Sequence, residues 1–276
     1  MEKRFKGPLI LSLIIVIYAF AFLLIIPQEG DLIPLYPGGA TSDYILSIVI
    51  PIGIMILMYF IGHLIAKTFI PIHKVLKLNR YDYFLIQPEK KLTGSKIITR
   101  SVYPGLLAIN IAIYISLLGE FNYIFYASPD EASLPVMIEW ISIIIGIPIA
   151  TLIITPIWIL NSSGLMCSLN QDKYKNRVTP DIEGVGRFYS TIFKGYVGIS
   201  TVVTYILIIY TLANKGVTLD NYFIIFIDPF ILILFFVFLS LILEVGVNKI
   251  NKRLMKGFEK MGINITPQEI KIVPKE

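Results

Sequence analysis

The sequence is short of reactive side chains. Cys167 is its only cysteine, which excludes an intrachain disulfide and any cluster built from several thiolates, and the thiol reads as a structural packing group. The two histidines, His63 and His73, stand in no Glu-x-x-His or His-x-x-x-His arrangement. The helical spacing that turns two imidazoles toward one zinc ion is therefore missing. No catalytic residue, cofactor or metal ligand is expected on this basis, and an intramembrane enzyme is the least favoured class. Charge is scarce as well: Asp, Glu, Lys and Arg make up 16% of a chain that is 55% hydrophobic. An ordinary soluble domain is apolar over only about 45 to 50% of its residues.

What is present is six long apolar runs, Pro8 to Ile26, Ile45 to Ala66, Val102 to Gly119, Val136 to Leu160, Ile192 to Ala213 and Tyr222 to Val247. A helix needs about 20 mostly apolar residues to cross the hydrocarbon core, and these runs reach or approach that length. They are continuously apolar instead of alternating, which sets aside a β-barrel. The expected fold is all-α and polytopic, a single six-helix transmembrane domain over 1–276 with a basic tail at 248–276. The start of the first run, with Ala19-Phe20-Ala21, also resembles a cleavable signal sequence. Phe22 to Ile26 carry the apolar stretch past that point, and an uncleaved helix is the expected state.

The charges between these runs are sorted. Of 24 Lys and Arg, 22 lie before the first run or in the gaps after the second, fourth and sixth, Lys194 stands in the first turn of the fifth run on that same side, and the exception is Lys215. Bases resist translocation, so that side is assigned to the cytoplasm, with both termini there and the bilayer of the cell membrane as surroundings. The alternate gaps carry seven acids against Lys215, and Glu139 and Asp228 near the outer ends of the fourth and sixth runs bring the outer total to nine, a charge that concentrates cations. Asn161-Ser162-Ser163 and Asn264-Ile265-Thr266 match the glycosylation pattern but fall on the cytoplasmic side, and they read as chance matches. Because topology accounts for the Lys and Arg, and no aromatic-basic platform accompanies them, nucleic-acid binding is excluded.

The outer gaps are short and the inner ones longer. In Phe69 to Arg80 the residues Phe69, Ile72, Val75 and Leu76 recur at helical spacing, with His73, Lys74, Lys77 and Arg80 on the other face. This predicts a basic amphipathic helix on the inner leaflet. A similar stripe, Val247, Ile250, Leu254, Phe258 and Met261, follows the sixth run and predicts its continuation. Thr179-Pro180-Asp181-Ile182-Glu183 has the cap, the first-turn proline and the acids of a helix start. Gly184 and Gly186 before Arg187 predict a tight packing point where the chain enters the fifth run. An inverted repeat would pair the long gap after the second run with that after the fifth, which spans only Asn214 to Asn221, so none is assigned.

Acids inside apolar runs are expensive and mark functional positions. Glu139 and Asp228 lie near the outer ends of the fourth and sixth runs, while Glu244 sits near the inner end of the sixth, within reach of Lys249 or Arg253. Pro229 frees a carbonyl one turn before itself, beside Asp228. With Asn110, Glu139 and Asp228 outline a candidate transport path, although helix–helix glue is the favoured reading for Asn110, Thr201 and Thr204. Lys74, Lys77, Arg80, Asp181 and Arg187 are candidate contacts for lipid, a cytoplasmic protein or a membrane subunit. The expected function is a transporter, or its membrane subunit, for a small solute or cation; the alternative is a scaffold or assembly subunit acting through its basic inner face.

Overall fold

The computed structural model describes residues 53–54, 56–85, 93–118, 138, 141–169, 182–214 and 223–261. The first predicted run, Glu139, Thr179, Pro180 and Asp181 lie outside these residues, and so do the side-chain surroundings of Glu244. The described chain is mostly helical. Helix α1 (Ile56–Ile65) bends by 47° into α2 (Phe69–Leu76), and strand β1 (Tyr81–Leu85) follows. Helix α3 spans Gly94–Leu117. A π-helical turn, Ser142–Gly146, leads into α4 (Ile147–Ser163), then strands β2 (Leu165–Leu169) and β3 (Ile182–Gly184). Helices α5 (Val185–Asn214) and α6 (Phe223–Glu259) complete the order.

Three of these, Gly94–Leu117, Ser142–Ser163 and Val185–Thr211, are long and apolar enough to cross a membrane, and α1 with α2 makes a fourth if the bent pair is one span. Lipid is a fitting neighbour for α5, where Tyr196, Ile199 and Ile206 are 66%, 71% and 61% exposed. An apolar helix uncovered to that degree in water would be an aggregation site. Hydroxyls within the helices bond back to their own turns, as Ser101 does to the Ile97 carbonyl (2.8 Å) and Ser116 to that of Ala112 (2.8 Å), so they enter an apolar medium satisfied. Helix α6 runs unbroken to Glu259, the continuation beyond Val247 that the apolar stripe predicts. Phe258 is fully buried there, whereas Met261 of the same predicted stripe is exposed.

The expectation of an all-α chain needs correction. Strands β1, β2 and β3 form an antiparallel sheet in that order. Tyr81-Asp82-Tyr83-Phe84-Leu85 has the aromatic content that suits a pleated, half-covered surface. Asn79 and Leu78, both at φ 52°, turn the chain out of α2 into β1. Gly164, at φ 72°, stops α4 and opens β2 in a left-handed conformation that costs a glycine nothing. The helix expected to start near Pro180 is also corrected: Ile182, Glu183 and Gly184 are β3, and α5 begins at Val185. The backbone groups of Ile182–Gly184 pair with Met166–Ser168, and a ladder of this kind outweighs a local capping preference.

Two glycines mark close approaches. A Cβ on Gly186 would stand 2.6 Å from the Leu160 carbonyl carbon and closer still to the Asn161 nitrogen, so this position is the tight packing point at the start of α5. Gly146 of the π-helical turn lies against the Ala108 carbonyl of α3. The chain divides into two compact units. One comprises Met1–Phe60, Leu92–Ile153 and Lys194–Glu244, the other Ile61–Lys91, Ile154–Phe193 and Val245–Glu276.

Candidate functional site

The second unit holds the densest group of chemically capable side chains. The register pairs Tyr83 with Cys167 and Cys167 with Glu183. Residues directly opposite one another on neighbouring strands project from the same face, so this row brings a phenol, a thiol and a carboxylate together. His73 of α2 joins them. Its Nδ1 lies 2.7 Å from the Tyr83 hydroxyl, and the rings of Phe188 and Tyr189 flank it with centroids at 4.9 and 5.9 Å. Tyr189 is held in turn by its hydroxyl, which donates to the Phe69 carbonyl at 2.8 Å.

His73 and Cys167 are both fully buried, and His73 Nε2 has no hydrogen-bonding partner among the described residues. One ligand atom from each of His73, Cys167 and Glu183 lies within 4.8 Å of the others. The Cys167 thiol donates to the Glu183 carbonyl at 3.5 Å, and Lys77 Nζ donates to Glu183 Oε2 at 2.7 Å. Lys77 also lies over the rings of Phe188 and Tyr81, at 4.8 and 5.1 Å. Burial, with Lys77 adding to it, pushes the His73 pKa down against the opposing charge of Glu183, so the ring is neutral near pH 7. Burial alone would lower the Lys77 pKa, but the hydrogen bond and charge of Glu183 outweigh it and the net shift is upward. Burial likewise raises Tyr83. The row is a neutral imidazole and a protonated phenol beside an ion pair.

Here too the sequence expectation is corrected. His73 was placed on the solvated face of an amphipathic helix, yet it is buried, while Ile72, Val75 and Leu76 on the apolar face are 49%, 69% and 56% exposed. The aromatic groups of β1 and α5 cover the imidazole, and the apolar stripe is left outward. Lys74 lies over the Tyr83 ring at 5.3 Å, Lys77 belongs to the row, and Arg80 and Arg187 are exposed.

The first unit contains a polar cluster between helices. Asn110 of α3 donates through Nδ2 to Ser200 Oγ (2.9 Å) and Thr201 Oγ1 (2.8 Å) of α5. Thr204 Oγ1 donates to Asn110 Oδ1 at 2.9 Å. The amide is thus used by helix packing at both ends. Asp228 is 3% exposed in α6, next to the buried Pro229. A convergence of Glu139 with Asp228 lies outside the described residues.

No local pattern joins Tyr83, Cys167 and Glu183 to His73, and Cys167 and Glu183 read in isolation as a packing thiol and a helix-start acid. Lys77 and Glu183 are separated by 106 positions and Cys167 and Glu183 by 16, so no short motif contains the set. Strand propensity in Tyr81–Leu85 was the one available signal. Comparison with known protein families, with curated proteins and with solved structures finds no match.

Proposed function

We propose that the protein is a six-span integral membrane protein with both termini in the cytoplasm, acting as a transporter, or the membrane subunit of one, for a small solute or cation. The spanning helices and the exposed apolar face of α5 support membrane residence. Of the inner segments assigned by charge, the described residues 67–85, 161–169, 182–191 and 248–261 fall in one compact unit, which supports their sharing one side of the bilayer.

Asp228 carries the transport reading. It is 3% exposed within an apolar helix, where an acid costs about 2.5 to 3.5 kcal/mol on insertion scales. A helix that only has to span gains nothing from such a group, whereas a carboxylate beside a carbonyl freed by Pro229 attracts a cation. Purified protein in liposomes provides the test, with tracer uptake of Na⁺ and K⁺ and a pH-sensitive dye for protons. Saturable uptake by the wild type and its loss in Asp228→Asn at equal incorporation support the reading. Equal uptake by Asp228→Asn contradicts it.

The outward apolar face of α2 beside Lys74 supports the second reading, a scaffold or assembly subunit that binds anionic lipid or a protein at its inner face. Loss of co-purifying anionic lipid in Lys74→Glu, together with no ion uptake by the wild type, favours it.

A further inference from the structure

We propose that His73, Cys167 and Glu183 form a binding site for a thiophilic divalent metal ion of the zinc class, with Tyr83 orienting the histidine from behind. The inference is independent of the transport reading, since it rests on the second unit alone.

The donor set is the first argument. One imidazole, one thiolate and one carboxylate are the mixed ligands that zinc accepts, whereas magnesium and calcium select oxygen. The second argument is the state of the histidine. Its ring is fully buried, Nδ1 is bonded to Tyr83, and Nε2 has no partner among the described residues. In the tautomer that donates Nδ1–H to the Tyr83 hydroxyl, the lone pair is on Nε2, and a second-sphere group fixes the ring as in established metal sites. Most buried side-chain nitrogens are hydrogen-bonded, so an open Nε2 on a buried ring is a position for a ligand.

Distance is the third argument. The three ligand atoms lie within 4.8 Å of one another. Tetrahedral zinc with bonds of about 2.0 to 2.3 Å sets its ligands about 3.3 to 3.6 Å apart, so rotations that draw the atoms together by roughly 1 Å complete the sphere. On binding, the Cys167 S–H bond breaks, its proton leaves to solvent, and the sulfur turns from the Glu183 carbonyl to the metal. Lys77 holds Glu183 Oε2 and leaves the second carboxylate oxygen to coordinate. Thiolate and carboxylate neutralise the ion. Three protein ligands leave a fourth position for water or another small ligand, the arrangement of reactive rather than closed zinc sites.

The test uses full-length protein in detergent, stripped with a chelator, confirmed monodisperse and titrated with Co²⁺. One equivalent is expected to produce a thiolate-to-cobalt charge-transfer band in the near ultraviolet with tetrahedral ligand-field bands, and Zn²⁺ is expected to abolish both by displacement. Cys167→Ser removes the charge-transfer band. His73→Gln and Glu183→Gln weaken binding, and Tyr83→Phe, which keeps the ring and removes only the hydroxyl, weakens it about tenfold. No charge-transfer band in monodisperse wild-type protein overturns the proposal even if every variant fails to fold. A band that survives unchanged in both His73→Gln and Glu183→Gln overturns it as well, because the cobalt then sits on the thiol alone.

Discussion

Removing the Asn110 amide tests whether it joins helices α3 and α5. Asn110→Ala deletes three hydrogen bonds, to Ser200, Thr201 and Thr204. Interhelical bonds within a bilayer average about 0.6 kcal/mol, which gives about 2 kcal/mol as the sum. The loss is softened by what remains. Thr201 Oγ1 donates to the Val197 carbonyl at 2.8 Å, and the Thr204 proton has the Ser200 carbonyl at 2.9 Å as a second acceptor. No hydroxyl donor is stranded, and the expected destabilisation is about 1 to 2 kcal/mol. Asn110→Asp is the sharper perturbation. The Thr201 proton is directed to Val197, so its oxygen faces Asn110 as an acceptor, and a carboxylate oxygen in place of Nδ2 meets an acceptor with an acceptor. Asn110→Asp should therefore destabilise more than Asn110→Ala, by a few kcal/mol. Unfolding in mixed micelles titrated with dodecyl sulfate and followed by far-UV circular dichroism measures both. An Asn110→Asp variant as stable as wild type, or more stable than Asn110→Ala, refutes the reasoning.

Two further outcomes follow from the second unit. Gly186→Val places a side chain into the backbone of Leu160 and Asn161; a loss of at least about 1 to 3 kcal/mol is expected from overpacking, read as a lower unfolding midpoint, and an unchanged midpoint contradicts the close approach. His73 provides a pH dependence. Its folded pKa is lowered relative to about 6.5 in the unfolded chain. As pH falls below that value the unfolded state takes up the proton first, so stability declines between the unfolded pKa and the lower folded one, then levels. Unfolding midpoints from pH 7.5 to 5 should show this slope in wild type and a shallower one in His73→Gln, and identical slopes count against it.

The spanning helices α3, α5 and α4 with its π-helical turn were legible because apolar runs of spanning length have few physical solutions. Gly186 was legible for a related reason, since a glycine at a helix entrance signals contact. The sheet was not. Each strand is three to five residues long, and Ile182-Glu183 follows a Thr-Pro-Asp sequence that reads locally as a helix cap. Its pairing with Met166–Ser168 is settled by backbone ladders that no local window contains. His73 was misread for the same reason: the pattern of α2 is amphipathic, but the aromatic groups that bury the imidazole come from β1 and α5. The site is the product of strand register, and register is a tertiary property.

A chain embedded in the membrane with its basic segments on the cytoplasmic side must expose its outer gaps, and not its tail, to reagents outside the cell. Single cysteines in a Cys167→Ser background, probed on intact cells with a membrane-impermeant maleimide, test this claim most directly. Ser128→Cys and Thr218→Cys should react before permeabilisation, and Gln268→Cys only after it. Labelling of Gln268→Cys on intact cells, with Ser128→Cys and Thr218→Cys protected until the membrane is opened, would contradict the claim.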